Sequence, residues 1–570
     1  MANIIDTTNY DFDAIVVGSG ISGGWAAKEL TEKGLNVLVL DRGKPLEHSV
    51  DYTGEHAPDW KFPFQGKKPR ELYKEEYPIQ SRVSHSFNEA NRHFWNNDKD
   101  NPYVNDPDKP FMWARADVVG GRSLLWGRQT YRFSEQDFKA NATDGHGIPW
   151  PVEYDDIAPW YSYVEKFIGV NGRNEGLPQL PDGEFQKPMP WYALEETIGE
   201  RLKKKMPNVT LTNGRAAILT EDLPGRSACH YCGPCPRGCS TGSYFSSQSS
   251  TLPAAKATGR MTVVANALVD RLEHDPETGK ISAVHVIDTQ TRERRSYSAR
   301  VFFLCASTVA TTQVLMNSTS AVFPNGLANS NGVLGKYMMD HPLGTMNLGV
   351  FLDDMDSYYS GRRPTGLYIP RFRNVGEQDQ DADFLRGYGY QTFVARLDWS
   401  ARFNSKGFGS KLKNDLRKPG QWLWALAYFS ECLPSESNQM KLSNKVDRFG
   451  IPQVAFDFTW GKNELAIRAD AEKQADSIMK AAGAVLSLPA SEGMSMPGEG
   501  IHEMGTARMG DDPNQAVLNK YNQAHDVANL FVTDGSFMTS SSCVNPSLTY
   551  MAFTARAVDY AVKQLAEGHI

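Results

Sequence analysis

The stretch "DAIVVGSGISGGWAAKELTEKGLNVLVLDRG", residues 13–43, decides the fold. Its apolar run Ala14–Val17 predicts a strand covered on both faces, because no polar residue alternates through it. Gly18, Gly20 and Gly23 follow as G-x-G-x-x-G at the mouth of a helix predicted over about residues 21–33. A second strand, residues 36–40, ends in Asp41, eighteen positions after Gly23, where a carboxylate accepts hydrogen bonds from an adenosine ribose. Gly18 permits the turn, Gly20 lets the backbone approach a pyrophosphate, and Gly23 lets helix and strand pack. The helix N-terminus adds N–H donors and partial positive charge for the phosphates. The unit predicts a dinucleotide site without separating NAD from FAD.

The remaining sequence bounds what such a site belongs to. With 570 residues, 40% hydrophobic and 22% charged, the chain is long enough for two or more cores, and a mean hydropathy of −0.47 is too polar for a membrane protein. The net charge of −7 carries no basic block interleaved with aromatics, which argues against a nucleic-acid partner. No apolar run approaches the roughly 20 residues of a spanning helix, so no transmembrane segment is expected. The opening "MANIIDTTNYDFDAIVVG" runs straight into a strand, so this chain is expected to carry no export signal of its own.

Seven cysteines, of which Cys305, Cys432 and Cys543 stand singly, do not form a secreted disulfide framework. The other four, Cys229, Cys232, Cys235 and Cys239, lie within "CHYCGPCPRGC" as C-x-x-C-x-x-C-x-x-x-C. A compact, proline- and glycine-rich loop of this kind wraps thiolates around an inorganic centre, and the spacing favours an iron–sulfur cluster. Structural zinc and a disulfide pair in a surface loop are the alternatives. His230 lies inside the motif and reads as a neighbour of the centre rather than a ligand.

Residues 529–565, "NLFVTDGSFMTSSSCVNPSLTYMAFTARAVDYAVKQL", predict a short strand, the turn Asp534-Gly535, a polar loop and an amphipathic helix. Four more stretches stand before it: "VVGGRSLLWGR" (118–128), "VFFLCASTVATTQVLMNS" (301–318), "GKYMMDHP" (335–342) and "HEMGTARMG" (502–510). In this order the five pieces resemble the glucose–methanol–choline (GMC) oxidoreductase family over nearly the whole chain. The fold class implied is α/β, α+β overall. A Rossmann-type FAD-binding domain with a parallel sheet would be assembled from residues 1–135, 208–321 and 496–570, with a cysteine-rich loop at 226–245. Residues 136–207 and 322–495 would form the substrate domain. Alternating segments such as "YGYQTFVARLDW" and "QWLWALAYFSECL" predict its largely antiparallel sheet. Their aromatics Trp399, Trp422, Trp424 and Tyr428 either stack on a sugar or fill a core. Residues 87–116 read as a lid or subunit-contact loop.

The resemblance implies FAD contacts at Gly18, Gly20, Gly23, Asp41, Gly120, Gly121, Ser123, Asp534 and Gly535. It places the catalytic pair on His502 and Asn545. A neutral imidazole suits removal of a hydroxyl proton, and an amide N–H suits a developing alkoxide. Leu124 and Leu125 occupy the positions where some members link flavin through histidine, so FAD is expected to be held without a covalent bond. Asn545 at the second catalytic position, together with the cysteine segment, resembles bacterial sugar dehydrogenase catalytic subunits and glucoside 3-dehydrogenases. That likeness implies oxidation of a secondary ring hydroxyl, at C3 of a glucoside, with electrons leaving through a [3Fe-4S] centre to a cytochrome c. Oxidation of glucose or gluconate is the alternative within the family, and a flavin-containing hydroxynitrile lyase is the alternative of another class. Relatives of this kind travel with a small companion subunit carrying an export signal, which implies a periplasmic location by co-export; a cytoplasmic one is the alternative.

Overall fold

The computed structural model describes residues 10–66, 69–357, 363–376, 383–397 and 407–570. Five parallel strands form the first sheet in the order Leu530–Val532, Ala299–Leu304, Phe12–Val17, Val37–Leu40, Met261–Val264. The unbroken apolar run of the first strand follows from burial on two sides. Ala14 and Val16 pack with Ala26, Ala27 and Leu30 of helix Ile21–Glu32 and with Ala557 and Ala561 of helix Ser547–Glu567. Ile15 and Val17 face the opposite way, into a core shared with Val269, Leu272 and Val284 of a three-stranded antiparallel sheet. The last strand and helix of the chain thus complete a layer begun by the first.

The second sheet has six strands in the order Leu486–Pro489, Leu343–Phe351, Trp422–Ser430, Tyr388–Arg396, Leu367–Ile369, Thr212–Asn213, and its pairings are antiparallel. This matches the parallel-plus-antiparallel architecture expected from the sequence. Strand Trp422–Ser430 alternates strictly, with Trp422, Trp424, Leu426, Tyr428 and Ser430 buried and the residues between them half-exposed. The buried set packs under helix Lys462–Ala482 through Ile467, Ala471 and Ile478, and helix Ala193–Lys205 joins the same core. Trp422, Trp424 and Tyr428 are therefore core residues that point away from the open face. Trp399 lies outside the described residues.

The stretch 87–116 is not a free lid. Phe87, Phe94, Trp95, Met112 and Ala114 are buried in one cluster, while Phe111 and Trp113 enter the main core. The Met112 N–H donates to the Pro497 carbonyl at 2.7 Å, so this stretch supports the loop that presents His502. Among the described residues no helix is long and apolar enough to cross a membrane.

Candidate active site

The glycine turn has the geometry its spacing predicts. Gly18 takes φ +94°, and a Cβ on Gly23 would fall 1.8 Å from the Gly18 carbonyl oxygen, so helix and strand touch where only glycine fits. A Cβ on Gly20 would meet nothing within 4 Å. That opening lies at the N-terminus of helix Ile21–Glu32, which has no side-chain cap, and it leaves room for a pyrophosphate to approach the helix N-terminus. A second turn closes on the first: a Cβ on Gly121 would lie 3.6 Å from the Gly20 Cα, and the Gly120 N–H donates to Ser19 Oγ at 2.7 Å. Ser123 Oγ in turn donates to the Gly120 carbonyl at 2.6 Å. Asp41 accepts from the Ser19 N–H at 2.9 Å and the Gly43 N–H at 2.7 Å, fixing its carboxylate at the end of the second strand. Burial pushes the Asp41 carboxyl up, while the Ser19 and Gly43 donors oppose that shift. At the far end of the sheet, Gly535 is hemmed in by the Glu503 carbonyl and Thr308 Oγ1, both 2.5 Å from a Cβ built there. Asp534 caps the Ser536 N–H at 3.1 Å. These residues fit a bound FAD, through an open glycine turn at a helix N-terminus and a carboxylate fixed at the end of the second strand.

His502 is held by a knot of backbone bonds. The Asp340 carboxylate accepts from the N–H groups of Gly498, Gly500 and His502 at 2.9, 3.0 and 3.0 Å. Burial and the nearby Glu503 push Asp340 up to about 7, against the backbone N–H groups of His502, His341 and Gly500. Ile501, immediately before His502, sits at φ +56°, a costly conformation for a β-branched residue that the surrounding bonds impose. Arg122 braces the loop from the glycine turn, donating to both Glu503 oxygens at 3.0 and 2.7 Å.

The hydrogen bonds then assign the protons. His341 Nε2 faces two backbone carbonyls, Ser541 at 3.2 Å and Ser542 at 2.9 Å, and only an N–H satisfies them. His341 Nδ1 therefore carries a lone pair, and His502 Nδ1, 2.9 Å away, donates to it. The remaining nitrogen, His502 Nε2, is left as a lone pair. Burial is the main force holding both rings neutral: it pushes His341 down to about 4 and His502 well below the usual imidazole range, with His341 and Arg122 adding to the shift at His502. Asn545 Nδ2 lies 3.3 Å from His502 Nε2, and Gln391 Nε2 donates to Asn545 Oδ1 at 2.6 Å, which fixes the amide with its NH₂ toward the histidine. The Phe429 ring stands 6.0 Å from that of His502. The fold therefore brings His502 and Asn545 together, as the sequence predicts, and adds His341, Gln391, Phe429 and Arg122, which sequence reasoning missed. His341 sits in the quoted "GKYMMDHP", and Gln391 in the quoted "YGYQTFVARLDW".

The four clustered cysteines line one cavity of about 90 Å³, with His56, His230 and Tyr244. Cys232 is exposed; Cys229, Cys235 and Cys239 are half-buried against Ala216, Ile218 and Tyr244. The Tyr231 N–H donates to Cys229 Sγ and the Tyr244 N–H to Cys239 Sγ, each at 3.4 Å. All seven cysteines are free, and among the described residues no three His, Cys, Asp or Glu side chains converge as a metal set. The chain leaving this loop runs directly to the glycine turn: Tyr244 OH donates to the Trp126 carbonyl at 3.3 Å and the Ser247 N–H to Ser123 Oγ at 3.1 Å.

A glycine turn of dinucleotide-binding geometry together with a neutral histidine and an oriented amide suits a flavin-dependent alcohol oxidoreductase. The chain belongs to the GMC oxidoreductase family, whose models match residues 12–343 and 434–554. It binds FAD and acts on CH–OH donors. Among its relatives, 2-methyl-1,2-propanediol dehydrogenase of Mycolicibacterium austroafricanum is 28% identical, over 98% of this chain and 97% of that one. The fructose dehydrogenase large subunit of Gluconobacter japonicus is 26% identical over 98% of each. A solved structure of pyridoxine 4-oxidase from "Mesorbium loti" superposes with a TM-score of 0.60 at 15% identity, covering 97% of this chain and 99% of that one, and shares the fold.

Proposed function

We propose that the protein is a dehydrogenase that oxidises a secondary ring hydroxyl of a sugar or glycoside to a ketone, at C3 of a glucoside. The observation that carries the reading is the lone pair on His502 Nε2 with the Asn545 amide 3.3 Å away. A carbinol oxygen seated between them donates its proton to Nε2 and accepts from Asn545 Nδ2. FAD, to which Leu124 and Leu125 offer no linking side chain, would when bound supply the acceptor for the two electrons and hydrogen of the C–H bond. As that bond breaks, negative charge on oxygen is matched by the Asn545 N–H, and the O–H proton rests on His502. Gln391 keeps the amide from flipping. Gluconate is less well served, because Arg122, whose charge acts on His502, is committed to Glu503.

The thiol loop supports a second part of the reading, an iron–sulfur centre of three-iron type held by Cys229, Cys235 and Cys239. The donor chemistry supports it: all four thiols line one cavity, Cys229 and Cys239 accept N–H bonds, and Cys232, the exposed one, is the thiol that a three-ligand centre would leave over. Such a centre would carry single electrons away from the flavin side. A small companion subunit, a cytochrome c acceptor and export to the periplasm with that subunit belong to the same proposal, in keeping with the relative named as a large subunit.

Anaerobic mixing with a panel of glucosides, glucose and gluconate, followed by locating the ketone, tests the substrate. Bleaching of the flavin by a glucoside with a 3-keto product is the expected result. A carbonyl at another carbon would reassign the site, and cleavage of a cyanohydrin without bleaching would make the protein a lyase. Iron analysis of anaerobically purified protein tests the centre; zinc without iron would leave the loop a structural clamp.

A further inference from the structure

Resting on the glycoside reading, the wall beyond the catalytic pair indicates what the rest of the substrate is made of. Gln391 and Phe429 both reach the catalytic pair, so their face of the six-stranded sheet is the one that looks into the site. The pairing register sets out that face row by row. The row nearest the chemistry holds Thr345, Ala427 and Gln391. The next holds Leu348, Ala425 and Phe393, and the one after it Val350, Leu423 and Ala395. On the edge strand Leu488 and Leu486 extend the second and third rows. Successive rows are about 7 Å apart.

Polar side chains occur only in the first row. Beyond Thr345 and Gln391 every side chain on these rows is aliphatic or aromatic, and the face is open: Phe393 is 53% exposed, Leu486 48% and Leu488 44%. A contiguous apolar surface that begins at catalytic groups and runs outward marks contact with an apolar part of a ligand. A monosaccharide has no such part. One sugar ring fills about the span of the first row, where Gln391, Asn545 and Thr345 meet its hydroxyls, and whatever is attached to that ring lies on Phe393 and Leu348.

We infer that the substrate is a glycoside with an apolar aglycone, aryl or alkyl, whose body packs on Phe393, Leu348 and the rows behind them, and that these residues set specificity. The test compares methyl, phenyl and octyl β-glucosides with wild-type holoenzyme and with Phe393→Ser and Leu348→Thr, reading kcat/KM with an artificial electron acceptor and Kd by calorimetry. Phenyl and octyl glucosides are expected to show kcat/KM about tenfold or more above, and Kd about tenfold or more below, those of the methyl glucoside, a modest return for the apolar area buried. Either substitution should reduce that ratio severalfold. Equal Kd for methyl and phenyl glucosides, or a ratio untouched by both substitutions, overturns the inference. If no glucoside binds or bleaches the flavin, the glycoside reading fails separately. The wall is then judged with cyclohexanol and 4-butylcyclohexanol: equal binding of the two overturns it, and preference for the butyl compound sustained by Phe393 upholds an apolar substrate body.

Discussion

The antiparallel sheet has two faces built from the same strands, and they do different work. Under helix Lys462–Ala482 lie Trp422, Trp424, Tyr428, Tyr388 and Tyr390, all fully buried. Toward the catalytic pair lie Leu423, Ala425, Ala427 and Phe429, half-exposed. The large aromatics hold the sheet to its helix, and the small and aliphatic residues leave the room in which a substrate sits.

The largest effect belongs to the open side. His502→Ala should leave FAD bound and slow flavin reduction by about 10²–10⁴-fold, the scale for loss of a positioned general base. Stopped-flow rates near wild type would remove His502 from the chemistry. On the covered side, Trp424→Ala should cost about 3–5 kcal/mol of stability through the cavity it leaves, read as a lowered denaturation midpoint, while flavin reduction per folded molecule stays near wild type. A variant with intact stability and altered substrate preference would show that the two faces are not separate.

A smaller effect sharpens the division. Ala427 is paired with Gln391 in the row nearest the chemistry, so Ala427→Leu should lower kcat/KM by about tenfold through crowding while leaving the thermal midpoint within a few degrees. Unchanged kinetics would mean that the substrate does not reach this row.

The smallest effect is a displacement along the pH axis. Burial holds His502 well below the usual imidazole range. Its neutral form is the active one and is present above its own pKa, so flavin reduction should stay flat as pH falls through 6.5 and decline only further down. His341→Ala removes one source of that depression and lets water in, so the decline should move up toward 6.5. A wild-type decline already centred there would contradict the assignment of both rings.

The parallel sheet and its nucleotide turn were legible because their causes are local: glycines where a Cβ has no room, and an apolar run where both faces are covered. His502 and Asn545 were legible through the family pattern. Gln391 and His341 were not, because each acts through a contact made across more than 150 positions of chain. The aromatics of the second sheet were visible but ambiguous, since alternation tells which residues share a face and not which face meets a helix. The cysteine spacing was read directly; what centre closes it depends on chemistry outside the polypeptide.

The direction of the hydrogen bonds around His341 governs where a proton can go. Its Nε2–H ends on the carbonyl oxygens of Ser541 and Ser542, and a peptide carbonyl does not take up a proton under working conditions. A hydrogen ion accepted by His502 thus meets a closed end on that side, shared at most between the two rings. It must return by the mouth of the site, through the departing product or the water that follows it. Clearing the histidine is therefore tied to emptying the pocket, and each catalytic cycle resets its acid–base state only when the carbonyl product leaves.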